Sequence, residues 1–166
     1  MSHEQVLIVM GSASDLPVME AAKKTLDELK IPAHMRIASA HRTPEIVDEM
    51  VTGARDRGVR VIIAGAGYAA HLAGVIASKT TLPVIGVPLA SSDLVGVDSL
   101  LSTVQMPPGI PVATVGIGTA GAKNAAILAA QIIAVTDKAV QKALEDQRAK
   151  TRDAVIRADR ELAQSE

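Results

Sequence analysis

Six consecutive residues, Ser39-Ala40-His41-Arg42-Thr43-Pro44, place two chemically useful side chains next to each other. His41 carries an imidazole, the kind of side chain that can exchange a proton under physiological conditions. Arg42 is a permanent cation with a rigid fork of hydrogen-bond donors. An Arg-His pair can also stand on a solvated loop without a role, so its meaning depends on the elements around it.

The neighbouring residues predict that this stretch is a loop between a strand and a helix. Residues 33–38 have the look of a strand, Pro44 suits the first turn of a helix, and Thr43 can cap that helix. The hydroxyl, imidazole and guanidinium groups then lie at the carboxyl edge of a parallel sheet. Ligands of open α/β sheets bind at that edge.

A second loop, Gly11-Ser12-Ala13-Ser14-Asp15, has the form of an anion site. It follows an apolar run typical of a buried strand and precedes a helical pattern that Ser14 or Asp15 can cap. Free backbone amides at the helix start then favour an anion. No Gly-Lys-Ser/Thr follows, which argues against a nucleoside triphosphate and favours a monophosphate. Asp15 would bind a sugar hydroxyl, since two anions repel each other. The alternative is a plain helix cap.

Two glycine-rich turns match dinucleotide-binding fingerprints only in part. They read Gly65-Ala66-Gly67-Tyr68-Ala69-Ala70 and Gly116-Ile117-Gly118-Thr119-Ala120-Gly121. A dinucleotide site needs an acidic residue at the end of the next strand to hold a ribose. Residues 85–88, after the first turn, contain no acid, and the second turn is followed by a helix with no further strand. These glycines are better explained as positions where the backbone approaches another group closely.

The apolar runs and turn residues predict alternating strands and helices. Expected strands are 6–10, 33–38, 60–64, 83–87 and 111–115, and expected helices are 16–29, 44–57 (ended by Gly58), 71–79, 98–104 and 122–135. Their short connections indicate a doubly wound parallel sheet with both polar loops on one edge. If the first two strands are neighbours, the loops meet. The proline-rich segment 105–111 is either a wall of the pocket or a rigid turn.

The composition limits the classes of protein to consider. The 166 residues, 48% of them hydrophobic, suffice for one domain with its own core. A net charge of −1 provides no basic surface for nucleic acid or a membrane. No membrane-spanning run or signal peptide is recognisable, so we expect a cytoplasmic protein. The lack of cysteine excludes disulfides, thiolate metal sites and cysteine nucleophiles.

The types of apolar residue favour an oligomer. Tyr68 is the only aromatic residue, so the core must be built from aliphatic side chains and much alanine, each of which buries little area. We therefore expect a homo-oligomer. Residues 137–165 predict a charged helix with an interrupted apolar stripe, which either lies across a neighbouring subunit or forms a solvated tail.

Taken together, these motifs closely resemble the N5-carboxyaminoimidazole ribonucleotide mutase family of purine biosynthesis. The resemblance runs in order from about residue 6 to residue 135. The matching pieces are Gly11-Ser12-x-Ser14-Asp15, Ser39-Ala40-His41-Arg42-Thr43-Pro44, Ala64-Gly65-Ala66-Gly67, Ala69-Ala70-His71-Leu72, Gly96-Val97-Asp98-Ser99-Leu100, Val104-Gln105-Met106-Pro107 and Ala120-Gly121-Ala122-Lys123-Asn124-Ala125.

The resemblance implies a fold, an assembly and a reaction. The fold is a flavodoxin-like three-layer αβα sandwich with a parallel sheet over residues 1–136, and 137–166 form a C-terminal helical extension that packs on the domain or on a neighbouring subunit. The assembly is a cytoplasmic homo-octamer without a metal or organic cofactor. The reaction interconverts N5-carboxyaminoimidazole ribonucleotide and 4-carboxy-5-aminoimidazole ribonucleotide. The partner is thus a small-molecule ribonucleotide, and neither nucleic acid nor membrane is expected.

The resemblance also assigns roles to residues of the polar loops. His41 is implied as the proton-transfer residue. The ribonucleotide and its phosphate are implied to be held by Ser12, Ser14, Asp15 and Arg42. The migrating carboxyl group is implied to lie against Ser39, Ala40 and the segment containing Gly67, Ala69, Ala70, His71 and Leu72. Arg42 also favours the mutase branch, because the branch that uses free carbon dioxide resembles this one with Lys in that place.

Two positions depart from the family pattern. Tyr68 and Ala73 stand where the family has glycine and proline. The Tyr68 ring either points outward or into a subunit contact, or it reshapes the pocket and gives a slow mutase or a paralogue. Two other hypotheses are a carboxylase or decarboxylase that uses free carbon dioxide, and a non-catalytic nucleotide-binding module.

Overall fold

Residues 4–164, which the computed structural model describes, contain a five-stranded sheet whose paired strands are all parallel. The strands are β1 (Val6–Met10), β2 (Ala33–Ile37), β3 (Val61–Ala66), β4 (Val84–Pro88) and β5 (Ala113–Thr114), in the spatial order β2-β1-β3-β4-β5. β1 and β4 are buried throughout, as is β3 up to Gly65, because helices cover both faces of the sheet.

In the described part of the chain, residues 4–164, six α-helices form the two outer layers. They are α1 (Leu16–Glu28), α2 (Pro44–Thr52), α3 (Leu72–Ala77), α4 (Val97–Val104), α5 (Gly118–Ala134) and α6 (Lys138–Ala163). Alternate residues of β1 face opposite layers: Ile8 packs in the cluster containing α1, α5 and α6, and Val9 in the cluster containing α2 and α3. The expected three-layer αβα sandwich with a C-terminal helix is confirmed.

The strand order explains why three polar loops meet. β1 lies between β2 and β3, so Met10 pairs with Ile37 on one side and with Gly65 on the other. The carboxyl ends of the three strands are therefore level with one another. The chain passes from β1 to β2 on one side of the sheet and then crosses to β3 on the other side of β1. At such a switch point a crevice opens outside the carboxyl ends of the strands.

Several boundaries differ from those expected. α2 ends at Thr52, five residues before Arg57, and turns lead from Gly53 to Gly58, which has a φ of 96°.

The predicted strand 111–115 shortens to Ala113–Thr114, and only these residues pair with β4. Pro111 lacks an N–H to donate to a sheet. α3 is shorter than expected, and α5 begins four residues earlier than expected.

The C-terminal helix packs on the domain through its first turns only. Val140 and Leu144 are buried in the cluster that contains α5, whereas residues 151–163 are exposed. Ser165, the last residue of the predicted helix, lies outside the described residues. Within residues 4–164, no helix has the length and apolar character needed to cross a membrane.

Candidate active site

The loops after β1, β2 and β3 enclose a cavity of about 450 Å³. All the predicted site residues except Ala70 line this cavity: Ser12, Ser14, Asp15, Ser39, Ala40, His41, Arg42, Gly67, Ala69, His71 and Leu72. Gly11, Ala66, Tyr68 and Ser91 complete the lining. The geometry thus brings together, from three separate loops, side chains that the sequence placed at one sheet edge.

Arg42 joins the first two loops directly. Its Nη2 donates to the carbonyl oxygen of Gly11 at 2.9 Å, and its Nε donates to Ser39 Oγ at 3.4 Å. Ser39 Oγ also accepts from the backbone N–H of Arg42 at 3.2 Å. Arg42 is exposed and lines the cavity, so the donors of its guanidinium that make no bond within the protein can bind an anion there.

Thr43 fixes the loop after β2 and does not cap α2. Its Oγ1 accepts from the backbone N–H of Ser39 at 2.9 Å and donates to the carbonyl oxygen of Ser39 at 3.3 Å. Thr43 makes no side-chain capping bond to α2. The expected cap is therefore wrong: the hydroxyl closes a turn across Ser39, which holds Ala40, His41 and Arg42 outward from the sheet.

The loop after β1 is capped by a residue other than those expected. Ser12 Oγ accepts from Ser14 N–H at 3.4 Å and from Ser14 Oγ at 3.0 Å, so Ser12 caps a short 3₁₀ helix over Ala13–Asp15. Asp15 precedes α1 but makes no side-chain capping bond, and Ser14 does not cap α1 either. The chain enters α1 through this 3₁₀ turn, which leaves the Asp15 carboxylate in the wall of the cavity.

Burial is the main influence on the Asp15 carboxyl group. Asp15 is only 7% exposed, and this desolvation raises its pKa above the ordinary value of 3.8. Hydrogen bonds from the backbone of Ser12 and Gly11 and the nearby charge of Arg42 act in the opposite direction, but the net shift is upward. A carboxylate in a cavity wall is suited to accept hydrogen bonds from sugar hydroxyls.

The raised pKa of Asp15 predicts a pH-dependent stability difference. Because the folded protein holds this proton more tightly than the unfolded chain, the contribution to stability is fully present below pH 3.8 and is lost as pH rises through the folded-state pKa. Relative to the wild type, Asp15→Asn should therefore gain stability between pH 3.8 and neutrality. Urea unfolding gives the free energy of unfolding of both proteins at pH 3.8 and at neutral pH. If the difference between the variant and the wild type is the same at both pH values, the prediction is wrong.

Two histidines from different loops are in direct contact. His41 Nε2 lies 2.7 Å from His71 Nδ1, the ring centroids are 4.9 Å apart, and the ring planes are inclined at 76°. At this distance, one of the two nitrogens carries the hydrogen and the other accepts it. His71 was expected only near the carboxyl group, but its side chain holds the ring of His41.

The segment after β3 is held by contacts on both sides of Tyr68. A Cβ at Gly67 would collide with the side chain of Ser91, so glycine permits this close approach. The backbone N–H of Ala70 donates to Ser102 Oγ at 2.9 Å, and Ala70 is buried. Ala70 therefore does not enter the cavity, and its N–H is already used by the protein.

Tyr68 stands at the edge of the cavity with most of its surface free. It is 62% exposed, and its φ of 54° lies in the left-handed region, which costs a residue with a side chain about 1–2 kcal/mol. The cavity stays open beside it.

Ser91 lines the same cavity from the loop after β4. Ser91 is not among the predicted site residues. The sequence feature that could have indicated it is the small polar loop that follows the fourth strand.

A larger groove of about 920 Å³ lies around the start of β4 and the segment that leads into β5. Both of the basic groups in its lining are engaged within the protein: Lys79 Nζ is 2.7 Å from Asp48 Oδ1, and Arg55 Nη2 donates to Thr81 Oγ1 at 2.8 Å. None of the described residues that line this groove is a histidine. Within residues 4–164, no group of three or more His, Asp or Glu side chains could hold a metal ion. The smaller cavity is therefore the candidate site.

Comparison with known proteins gives matches along most of the chain. The family described as AIR carboxylase matches residues 5–154. The N5-carboxyaminoimidazole ribonucleotide mutase of Bacillus subtilis is 53% identical over 155 residues, covering 93% of this chain and 96% of that protein. The mutase of the same name from Pyrococcus abyssi is 56% identical over 144 residues, covering 87% and 82%.

A crystal structure of PurE from Treponema denticola has the same fold. It superposes with a TM-score of 0.86 at 31% identity, and the match covers 96% of this chain and 98% of that one. Because the family match, the identities and the fold agree over nearly the whole length, the chain belongs to the AIR carboxylase family.

Proposed function

We propose that this protein interconverts N5-carboxyaminoimidazole ribonucleotide and 4-carboxy-5-aminoimidazole ribonucleotide in de novo purine biosynthesis. The observation that carries this proposal is the contact between His41 and His71 in the cavity that also contains Asp15 and the exposed Arg42. Relatives more than half identical to this chain carry the name of this mutase.

The cavity offers separate groups for the parts of such a substrate. Arg42, Ser12 and Ser14 supply donors for the phosphate, and Asp15 accepts from the ribose hydroxyls. Ser39, Ala40 and the backbone from Gly67 to Leu72, without Ala70, border the space for the migrating carboxyl group. The base then lies beside the two histidines.

The reaction needs one proton delivered and one removed. His41 gives a proton to the exocyclic nitrogen, the bond from that nitrogen to the carboxyl carbon breaks, and carbon dioxide is released within the cavity. Ring carbon C4 then uses its electron pair to form a bond to carbon dioxide. His41 finally removes the proton from C4, which restores the aromatic ring and returns the histidine to its starting state.

The contact with His71 fits this use of His41. While the substrate is absent, His71 holds the ring of His41 in one orientation through the 2.7 Å contact. His41 gives up one proton in the first step and gains a different one, from C4, in the last, so the cycle needs no net proton from water. Closure around the substrate would keep carbon dioxide from escaping.

Two assays test this function against its alternatives. Ultraviolet absorbance should change when the carbamate substrate is added, because the product imidazole carboxylate absorbs differently. Labelled carbon dioxide in the solution should not enter the product. Rapid incorporation of label would instead support a carboxylase that uses free carbon dioxide, and binding without turnover would support a nucleotide-binding module.

Replacement of Arg42 by lysine should weaken substrate binding. Lysine keeps the charge but loses the planar fork that bridges Gly11 and the phosphate, so we expect KM to rise about tenfold or more while kcat changes less. Steady-state kinetics of Arg42→Lys measure this effect. Arg36→Lys is the matched control, since Arg36 is exposed on β2 and does not line the cavity. Equal KM values for the two variants would contradict the role of Arg42.

We also propose that the active form is a cytoplasmic homo-octamer. Three apolar side chains are more than half exposed near α4: Leu94 just before the helix, and Val97 and Leu101 within it. This exposed apolar surface supports a contact between subunits on this face. Light scattering tests the assembly, and a monomeric mass would contradict it.

A further inference from the structure

We propose that the Tyr68 ring packs against the planar base of the ribonucleotide and makes binding selective for ligands that carry this base. This inference rests on the proposed function, because it uses the substrate named there. It adds a specificity-determining residue at a position where the family pattern has no side chain.

The location of Tyr68 puts its ring at the base end of the cavity. Tyr68 lies three residues before His71, on the same segment after β3. The reacting atoms of the base must lie beside His41, which contacts His71. The phosphate donors Ser12 and Ser14 belong to the loop after β1. The third donor, Arg42, is hydrogen-bonded to Gly11 of that same loop. A ligand that spans the cavity therefore brings its base, and not its phosphate, toward Tyr68.

Tyr68 supplies the large apolar surface that the rest of the lining lacks. The other apolar side chains of the cavity are three alanines and Leu72, which is 2% exposed. A planar heterocycle therefore finds little apolar surface to cover its faces. Tyr68 is 62% exposed and is the only aromatic residue of the chain. Aromatic rings stack on bases through their faces and tolerate small changes in angle.

The backbone prepares this ring for contact. Tyr68 has a φ of 54°, a conformation that a side chain disfavours, and its neighbours hold it there. Gly67 packs against Ser91 on one side, and Ala70 donates to Ser102 on the other. Fixing the backbone on both sides limits the directions that the ring can take, which lowers the entropy lost on binding.

Calorimetry with two ligands tests the proposal. The probes are 4-carboxy-5-aminoimidazole ribonucleotide and ribose 5-phosphate, which lacks the base. Tyr68→Ala should weaken binding of the ribonucleotide about 5- to 10-fold, the lower part of the range for a base on an aromatic ring. Its affinity for ribose 5-phosphate should not change. Tyr68→Phe keeps the ring and should bind both ligands as the wild type does, whereas Tyr68→Gly relieves the backbone and should bind as Tyr68→Ala does.

The same residue provides a spectroscopic test in the unmodified protein. Because Tyr68 is the only aromatic residue, all intrinsic tyrosine fluorescence comes from it. The ribonucleotide should change this emission after correction for its own absorbance, and ribose 5-phosphate should not. Unchanged affinity of Tyr68→Ala for the ribonucleotide would overturn the proposal, and so would equal losses of affinity for both ligands. A changed mass of the assembly together with unchanged affinities would place the ring in a subunit contact instead. Failure of the wild type to bind the ribonucleotide would instead refute the proposed function.

Discussion

Replacing His41 by asparagine should stop the interconversion while leaving binding of the ribonucleotide nearly intact. Asparagine keeps a polar group of similar reach but cannot exchange a proton near neutral pH. Proton transfer by a positioned side chain is worth about 10²–10⁴ in rate, and here one group serves both transfers, so we expect a loss near the upper end. The ultraviolet assay measures turnover, and calorimetry with 4-carboxy-5-aminoimidazole ribonucleotide measures binding.

A second histidine provides the control for this experiment. His34 is exposed on β2 and does not line the cavity, so His34→Asn should leave both measurements unchanged. A near-normal rate in His41→Asn would remove His41 from its role. A loss of binding as large as the loss of rate would show that His41 positions the substrate and does not transfer the proton.

Replacing Gly121 by alanine should destabilise the fold by about 3 kcal/mol or more. Gly121 lies in the first turn of α5, and a Cβ there would collide with the backbone carbonyl of Gly116. The clashing atoms belong to the backbone of Gly116, and Gly121 is itself buried in α5. The collision therefore cannot be relieved by the movement of a flexible side chain. Urea unfolding, with the free energy extrapolated to water, measures the loss.

The partner glycine of this contact is the matched control. A Cβ at Gly116 would meet nothing closer than 4.0 Å, so Gly116→Ala should change the free energy of unfolding by less than about 1 kcal/mol. If both variants unfold at the same urea concentration, the close approach of α5 to Gly116 does not govern stability.

These contacts explain the glycine patterns that resemble dinucleotide fingerprints. A Cβ at Gly65 would collide with Met19, one at Gly67 with Ser91, and one at Gly121 with Gly116. The interpretation that these glycines allow close approach of the backbone is therefore confirmed for Gly65, Gly67 and Gly121. The groups that they approach belong to the protein itself. The interpretation is wrong for Gly118, where an added Cβ would have nothing within 4 Å and which instead has a φ of 73°.

The class of fold and the residues of the candidate site could be predicted from the sequence alone. Continuous apolar runs such as Val6–Met10 are buried on both faces of a parallel sheet, and their regular alternation with helical patterns indicated the layers. The loops Gly11–Asp15 and Ser39–Pro44 stood out because hydroxyl, imidazole and guanidinium groups follow strands. Such signals are local, so they can be read without knowing which elements touch.

The pairing of these groups could not be predicted from the sequence and follows from the three-dimensional fold. His41 and His71 are 30 residues apart, and Arg42 reaches Gly11 across 31 residues. Ala70 turns away to Ser102, and Tyr68 adopts a left-handed conformation between two fixed neighbours. Each of these features depends on contacts between segments that the strand order brings together. Local preferences of the chain carry no information on such contacts, because their energy arises only after the sheet has formed.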